Sequence, residues 1–165
     1  MKAFAVLGLV AGLAACATGP HFEVPAGEVP LMTVAAQGVQ VYECQADNAA
    51  APAWVFVAPE AELFDGAGRR IGRHGAGPTW QHADGSGFVG TVRERAPAPR
   101  ADAIPWLLLS ARPQGPDGAF ARVSSVQRIH TVGGLAPADG CAAATLGTRV
   151  GMAYRADYAL YAPGR

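Results

Sequence analysis

The sequence predicts an all-β protein, a single-domain antiparallel β-sandwich or small β-barrel. Short apolar runs, several with alternating polar residues, are separated by turn-forming clusters, and the 165 residues include 21 glycines and 13 prolines. The segment RVGMAYRADYALYA near the C-terminus keeps a period of two throughout. No long segment has the period of an amphipathic helix. Many short alternating strands between turns are typical of sandwiches and barrels.

The first predicted strands lie in the N-terminal half of the chain. Polar and apolar residues alternate in Val39–Cys44 and again in Trp54–Val57. Glu62–Asp65 runs into Gly66–Gly68, and glycines between two such runs are a hairpin signal. We therefore expect Arg69–Arg73 to return as the next strand.

Three further strands are predicted at Gly87–Val92, Trp106–Ala111 and Phe120–Val132. The stretch Pro97–Pro105 between the first two is rich in proline and charge, and we expect a mobile surface loop there. In the last strand, alternation places Arg155 and Asp157 on the outer face. It places six other side chains on the inner face: Val150, Met152, Tyr154, Ala156, Tyr158 and Leu160.

The N-terminus predicts export and lipid attachment. Lys2 precedes an apolar run that is too short to span a bilayer as a helix, which is typical of a secretory signal peptide. The run ends in Leu13-Ala14-Ala15-Cys16, which resembles a lipobox, so residues 1–15 are the predicted signal peptide and Cys16 the predicted lipidation site. An ordinary signal peptide with a chance cysteine is the alternative. Ala17, where aspartate would favour inner-membrane retention, makes the outer membrane or periplasm the expected location.

The cysteine count agrees with an exported protein. Of the three cysteines, lipidation would consume Cys16 and leave Cys44 and Cys141, which can pair in an oxidising compartment. Closing a loop of roughly 100 residues is worth about 4–5 kcal/mol in the chain-entropy model. Two buried free thiols are the alternative.

The composition of the chain indicates how it is divided into tether and domain and which binding partners it excludes. We assign residues 16–36 to a tether rich in alanine, proline and glycine and residues 37–163 to one β domain. The 13 basic and 13 acidic residues balance, without a basic stripe or an arginine run. The sequence therefore predicts no nucleic-acid binding, and it predicts membrane association through the N-terminal lipid alone.

The stretch HGAGPTWQHADGSGFVG, residues 74–90, combines turn residues with chemically active side chains. Its glycines, Pro78 and the Asp84-Gly85 dipeptide are explained by a strand–turn–strand structure with Trp80 in the core. The histidines are not explained in this way. We therefore predict a ligand-binding face here, with these candidate residues: His74, Trp80, His82, Asp84, Ser86, Trp106 and His130.

Two kinds of chemistry are alternatives to simple binding. A barrel could gather His74, His82 and His130 around zinc or copper for a metal-assisted hydrolase or oxidase, although no short metal-binding spacing is present. Serine is a nucleophile in many hydrolases, and Ser86 is a candidate for that role. However, the surrounding D-G-S-G is not a nucleophile elbow, so a serine in a turn is the simpler interpretation. The sequence leaves open both whether the protein binds a metal and whether it catalyses a reaction.

A small-molecule pocket is the third possibility, and aromatic side chains are plentiful for it. His74 would be a polar anchor in a barrel mouth. The aromatic candidates are Tyr42, Trp54, Trp80, Trp106, Tyr154 and Tyr158. A core role for the tryptophans is the alternative. The expected function is thus binding of a small molecule or of an envelope partner, with a purely structural envelope component as a further alternative.

Ordered motifs cover nearly the whole predicted domain. They are Val41-Tyr42-x-Cys44, Trp54-x-Phe56-x-Ala58-Pro59-Glu60-Ala61-x-Leu63, His74-x-Ala76-Gly77-Pro78-Thr79-Trp80, Asp84-Gly85-Ser86, Ile104-Pro105-Trp106-Leu107-Leu108, Gln127-Arg128-Ile129-x-Thr131-x-Gly133-Gly134, Cys141 and Tyr154-x-Ala156-Asp157-Tyr158. This pattern resembles the domain of unknown function 3455 (DUF3455) of secreted bacterial and fungal proteins. The resemblance implies a single domain and favours the Cys44–Cys141 pair. It implies no activity, cofactor or catalytic residue.

Overall fold

The computed structural model describes residues 21–46 and 51–164. The predicted signal peptide and Cys16 lie outside the described residues. Within them, eight antiparallel strands follow one another in chain order around a closed barrel. The strands are β1 (Glu28–Gln45), β2 (Ala53–Phe64), β3 (Arg70–Gly75), β4 (Thr79–His82), β5 (Gly87–Ala96), β6 (Trp106–Gln114), β7 (Ser125–Gly133) and β8 (Arg149–Pro163).

The all-β prediction is confirmed, and of its two architectures the barrel is the observed one. Closure depends on β1, which pairs with β2 along one edge and with β8 from Glu28–Pro163 to Glu43–Arg149 along the other. The short β3–β4 hairpin covers only part of its neighbours, since β3 pairs with β2 at Ala61–Phe64 and β4 pairs with β5 at Gly87–Val89. No helix among residues 21–46 and 51–164 is long and apolar enough to cross a membrane.

Side chains alternate between the barrel interior and the surface, as the period of two requires. The inner face predicted for the last strand is confirmed, with Tyr154, Ala156, Tyr158 and Leu160 buried. In β1 the inner positions are even-numbered as well. Val34 and Ala36 are buried there, and this register brings Gln40 and Tyr42 into the interior further along the strand.

The two ends of the barrel differ. The closed end carries the β2–β3 hairpin, the β4–β5 turn and the loop 115–124, and its interior is filled by Leu63, Phe88, Phe120 and Val123. The open end carries the β3–β4 turn and the loops 97–105 and 134–148. Packing is incomplete at this open end, where a cavity remains.

The disulfide prediction is confirmed, since Cys44 and Cys141 are bonded with their Cα atoms 5.3 Å apart. The bond joins the end of β1 to the loop that precedes β8. Backbone hydrogen bonds from Cys44 to Thr148 and from Gly147 to Cys44 hold the same junction. The disulfide therefore anchors one side of the open end.

Two predicted boundaries and one predicted surface loop differ from the structure. β1 begins at Glu28, so the first strand includes residues assigned to the tether, and Phe22 is buried where its carbonyl accepts a hydrogen bond from the Gln127 side chain. The strand predicted at Phe120–Val132 begins only at Ser125, because the preceding residues form the turn that covers the closed end. The loop Pro97–Pro105 is only partly superficial, since it inserts buried Ile104 into the barrel.

Candidate functional site: the cavity at the open end

A cavity of about 570 Å³ opens at the open end of the barrel. This volume is in the range of small-molecule sites, and the mouth of a β-barrel is a common place for such sites. Most of its wall is apolar, including Ile104, Leu107 and Leu109. Phe56, Val57 and Val92 line it while remaining exposed to solvent, so apolar side chains also form its rim.

Aromatic rings form a column from the closed end to the floor of this cavity. Phe120 packs edge-on against Phe88, Phe88 stacks on Trp80 at 4.9 Å, and Trp80 stacks on His74 at 4.0 Å between ring centroids. Gly90 makes room for the column, because a Cβ atom there would lie 2.8 Å from the Trp80 ring. Trp80 and His74 are the members of the column that face the cavity.

His74 is neutral in this position. Its side chain is buried, and Nδ1 lies 2.8 Å from the carbonyl oxygen of Thr79. Because a carbonyl oxygen only accepts, Nδ1 carries the proton and Nε2 keeps a lone pair. Burial lowers the pKa of His74 from 6.5 to about 3, although the bond to Thr79 opposes this shift. The cavity wall therefore contains one neutral imidazole, whose Nε2 can accept a hydrogen bond.

Three buried polar groups that line the cavity have no hydrogen-bond partner in the described chain. They are the side-chain amide nitrogen of Gln40, the indole nitrogen of Trp80 and the hydroxyl of Tyr158. Their residues are only 2%, 1% and 1% exposed. An unpartnered buried polar group costs about 1–3 kcal/mol, so these three groups are the part of the wall at which a hydrogen-bonding partner would contribute most.

Arg128 of β7 is the more buried of the two arginines in the wall, and the other, Arg95, is exposed. Its Nε and Nη2 donate hydrogen bonds to the carbonyl oxygen of Pro105 at 3.1 and 2.7 Å. Burial lowers the pKa of the guanidinium below its ordinary value, and the nearby hydroxyls of Tyr158 and Tyr154 counteract this in part. None of the described residues that line the cavity is an aspartate or a glutamate.

Tyrosine hydroxyls gather beside this guanidinium. Burial raises the pKa of Tyr154 and of Tyr158 well above the usual value, so both hydroxyls stay protonated at neutral pH. Tyr42 lies at the same end and donates a hydrogen bond of 2.7 Å to the carbonyl oxygen of Gly134. The polar part of the site is therefore rich in hydrogen-bond donors.

The predicted ligand-binding residues fall into separate places. His74 and Trp80 line the cavity as described. His82 occupies the next inward position of β4 toward the closed end, where its ring lies against Phe120, and it does not line the cavity. A second depression of about 420 Å³ borders His82 and Gly85 instead. The two histidines thus do not share one pocket.

Asp84 and Ser86 hold the loop that covers the closed end. The Ser86 hydroxyl donates to Asp84 Oδ1 at 2.5 Å and accepts from the Phe120 backbone N–H at 3.0 Å, while Asp84 Oδ2 accepts from Ala119 N–H at 2.8 Å. Hydrogen bonds from Ala119 and Ser86 hold the pKa of Asp84 well below its usual range. In a hydrolase triad the histidine lies between serine and carboxylate, whereas here the carboxylate contacts both Ser86 and His82.

Trp106 and His130 lie beside the open end but not in the cavity wall. Their rings meet edge-on at 5.4 Å, and His130 Nδ1 lies 2.9 Å from Asp157 Oδ2 on the outer face. His130 also has a φ of 50°, which is uncommon for a residue with a side chain. Within the described ranges, no group of three or more histidine, cysteine, aspartate or glutamate side chains is close enough to hold a metal ion.

Sequence analysis did not identify Gln40 and Arg128 as site residues. Gln40 lies between two valines, which suggests a polar outer position if the strand begins at Val39. The buried positions Val34 and Ala36 reverse this assignment, because they continue the inner face of β1 to residue 40. For Arg128, which follows Val126 at the next inner position of β7, the sequence offers no comparable signal.

The comparison with protein families agrees with this single barrel. A family model described as protein of unknown function (DUF3455) matches residues 25–162, most of the chain. The protein therefore belongs to the DUF3455 family. No curated protein matches the sequence.

Proposed function

We propose that this protein is a binding protein for a small, largely apolar molecule, which occupies the cavity at the open end of the barrel. The single observation that carries the proposal is the set of buried, unpartnered polar groups around an otherwise apolar cavity. A ligand with polar atoms at the matching positions would satisfy these groups and bury the apolar wall.

Fluorescence titration with the neutral dye N-phenyl-1-naphthylamine tests the proposal. We expect saturable binding to the purified domain. Val57→Trp adds bulk at the rim of the cavity and should abolish binding, whereas Val55→Trp is the matched control on the same exposed stretch of β2 outside the cavity wall. Absence of dye binding, or equal binding by both variants, would overturn the proposal.

Metal analysis of the same preparation tests the alternative of a metal-assisted hydrolase or oxidase. Zinc or copper that copurifies and is lost in His74→Ala would favour that alternative, since His74 is the histidine in the cavity wall. Metal-free protein that binds the dye supports the binding function. Metal-free protein that fails to bind the dye would instead favour a structural envelope component.

We also propose that a lipid on Cys16 anchors the barrel at the outer membrane. The support is the lipobox-like sequence Leu13-Ala14-Ala15-Cys16. Mass spectrometry of the purified protein should show an acylated N-terminal Cys16, and Cys16→Ala should release the protein from the membrane fraction. Ala17→Asp should move it to the inner membrane. An unmodified Cys16 in membrane-free protein would contradict this anchor.

A further inference from the structure

We infer that the ligand of the cavity is an amphipathic carboxylate, with its acid group at Arg128 and its apolar body along the leucine-rich wall. The inference rests on the proposed binding function and adds the chemical class of the ligand. It depends on the charge of the cavity, the free edge of one guanidinium and the kind of polar group around it.

Charge is the first argument. Arg128 and Arg95 line the cavity, and the described lining residues contain no carboxylate to balance them. No salt bridge joins Arg128 to another residue of the described chain. A largely buried cation without a counter-ion is unfavourable, and an anionic ligand would compensate it.

Geometry is the second argument. The guanidinium uses its Nε–Nη2 edge for the Pro105 carbonyl oxygen. Its other edge, between Nη1 and Nη2, still has two parallel N–H groups, and the Tyr158 hydroxyl lies next to the guanidinium. A carboxylate accepts such a pair in the bidentate arrangement that arginine favours. Because Pro105 fixes the plane of the guanidinium, the free edge is oriented before the ligand arrives.

The surrounding polar groups are the third argument. The Gln40 amide nitrogen and the Trp80 indole nitrogen are donors without partners. The Tyr158 hydroxyl, also without a partner, lies next to Arg128 and stays protonated. A carboxylate has up to four lone-pair sites and can accept from several such donors, whereas an ammonium group could accept from none.

The apolar wall specifies the rest of the molecule. Leu107 and Leu109 continue the cavity wall, and Phe56 and Val57 extend it to the rim. An aliphatic or aromatic body would bury this surface, at about 25 cal/mol for each Å² removed from water. A small hydrophilic acid would leave it uncovered.

Three ten-carbon compounds with different head groups test the inference by displacing N-phenyl-1-naphthylamine at pH 7.5. They are decanoate, decan-1-ol and decylammonium. We expect decanoate to bind at least about tenfold more tightly than decan-1-ol, which is the effect of one charge-assisted hydrogen bond. Decylammonium should bind least, because Arg128 and Arg95 repel it.

Arg128→Met should remove the preference for decanoate over decan-1-ol while the neutral dye still binds. Arg93→Met, an exposed arginine of β5 outside the cavity wall, is the matched control and should keep the preference. If Arg128→Met does not fold, two other variants test the inference. These are Gln40→Leu and Tyr158→Phe, each of which removes an unpartnered donor. Each should weaken decanoate several-fold without weakening the dye.

The outcomes separate this inference from the function on which it rests. If the wild-type protein binds the dye but prefers decan-1-ol or decylammonium, or binds all three compounds equally, the carboxylate inference is wrong and the binding function stands. If neither the dye nor any of the three compounds binds, the proposed function itself fails. Preference for decanoate that survives in Arg128→Met, or unchanged affinity for decanoate in both substitute variants, also overturns the inference.

Discussion

The two ends of the barrel use polar side chains in opposite ways. At the closed end Asp84 and Ser86 are bonded to each other and to the backbone of the loop that contains Ala119 and Phe120. At the open end Gln40, Trp80 and Tyr158 are buried, but the polar atoms named above have no partner in the described chain. The polar groups of the closed end are therefore satisfied within the fold, whereas those of the open end are the groups that the proposed ligand would satisfy.

Phe120 and Phe56 give the largest expected contrast between the ends. Phe120 is 0% exposed at the closed end and Phe56 is 49% exposed at the rim of the open end. Phe120→Ala should lower the free energy of unfolding by about 3–5 kcal/mol, and Phe56→Ala by about 1 kcal/mol or less. Urea denaturation of both variants measures the contrast. Equal losses would mean that the rim is as tightly packed as the core.

The disulfide is expected to have the next largest effect, and it is the main covalent support of the open end. Reduction of Cys44–Cys141 removes a cross-link of sequence separation 97 and should cost about 2–5 kcal/mol. The melting temperature should fall by roughly 4–20 °C. Scanning calorimetry with and without a reducing agent measures this, with Cys44→Ala/Cys141→Ala as the control that must not respond to the agent. If the reducing agent leaves the melting temperature of the wild-type protein unchanged, the disulfide does not stabilise this end.

His74 should make the open end sensitive to moderate acid. Its folded pKa of about 3 lies below the ordinary value of 6.5, so the unfolded chain takes up a proton first. The contribution of neutral His74 to the free energy of unfolding is complete above pH 6.5 and is lost as the pH falls toward 3. At pH 5 the loss is about 2 kcal/mol, or 1.36 kcal/mol for each pH unit below 6.5. The groups that face the ring, Arg128 and Tyr158, keep their charge states over this range.

Denaturation of the wild-type protein and of His74→Gln at pH 7.5 and pH 5 checks this value. The variant should lose about 2 kcal/mol less than the wild-type protein over the interval. Comparison within one pair of conditions cancels the titration of all other groups. If both proteins lose the same free energy, His74 is accessible to protons in the folded state.

The smallest expected effect distinguishes two buried glutamines. Gln127 is bonded through Nε2 to the carbonyl oxygens of Phe22 and Glu23, at 3.2 and 3.0 Å, whereas Nε2 of Gln40 has no partner in the described chain. Gln127→Leu should cost about 1–2 kcal/mol, and Gln40→Leu should be neutral or stabilising by up to about 1 kcal/mol. Thermal denaturation compares the two. A larger loss for Gln40→Leu would show that its amide already has a structural role.

Sequence patterns predicted much of the fold because a strand in a barrel has one inner and one outer face. The alternation around Tyr154 and Tyr158 and the glycine-marked hairpin after Phe64 are local signals, and both are confirmed. The start of β1 was missed because Glu28–Ala36 contains Pro30 and several small residues. Only pairing with β8 identifies this segment as a strand, and that pairing joins residues far apart in sequence.

The candidate site was predicted only in part, for a related reason. His74 and Trp80 are unusual residues in a glycine-rich stretch, and both line the cavity. The same stretch contains three more candidates that lie closer to the closed end. His82 is the next inward position of β4, and Asp84 and Ser86 are in the turn that follows it. Closeness in sequence therefore did not predict a shared pocket. Arg128 comes from the opposite half of the chain.

The sequence by itself determined an all-β domain, its family, the alternation of its strands and the two cysteines that pair. These properties depend on local periodicity and on residue types that can be recognised in order. Only the tertiary structure decided that the sheet closes into a barrel, that one end is filled and that Gln40, Arg128 and Tyr158 meet around a cavity. The reason is physical: closure and cavity depend on strand register and on the volume of side chains from distant segments, which no single stretch of sequence specifies.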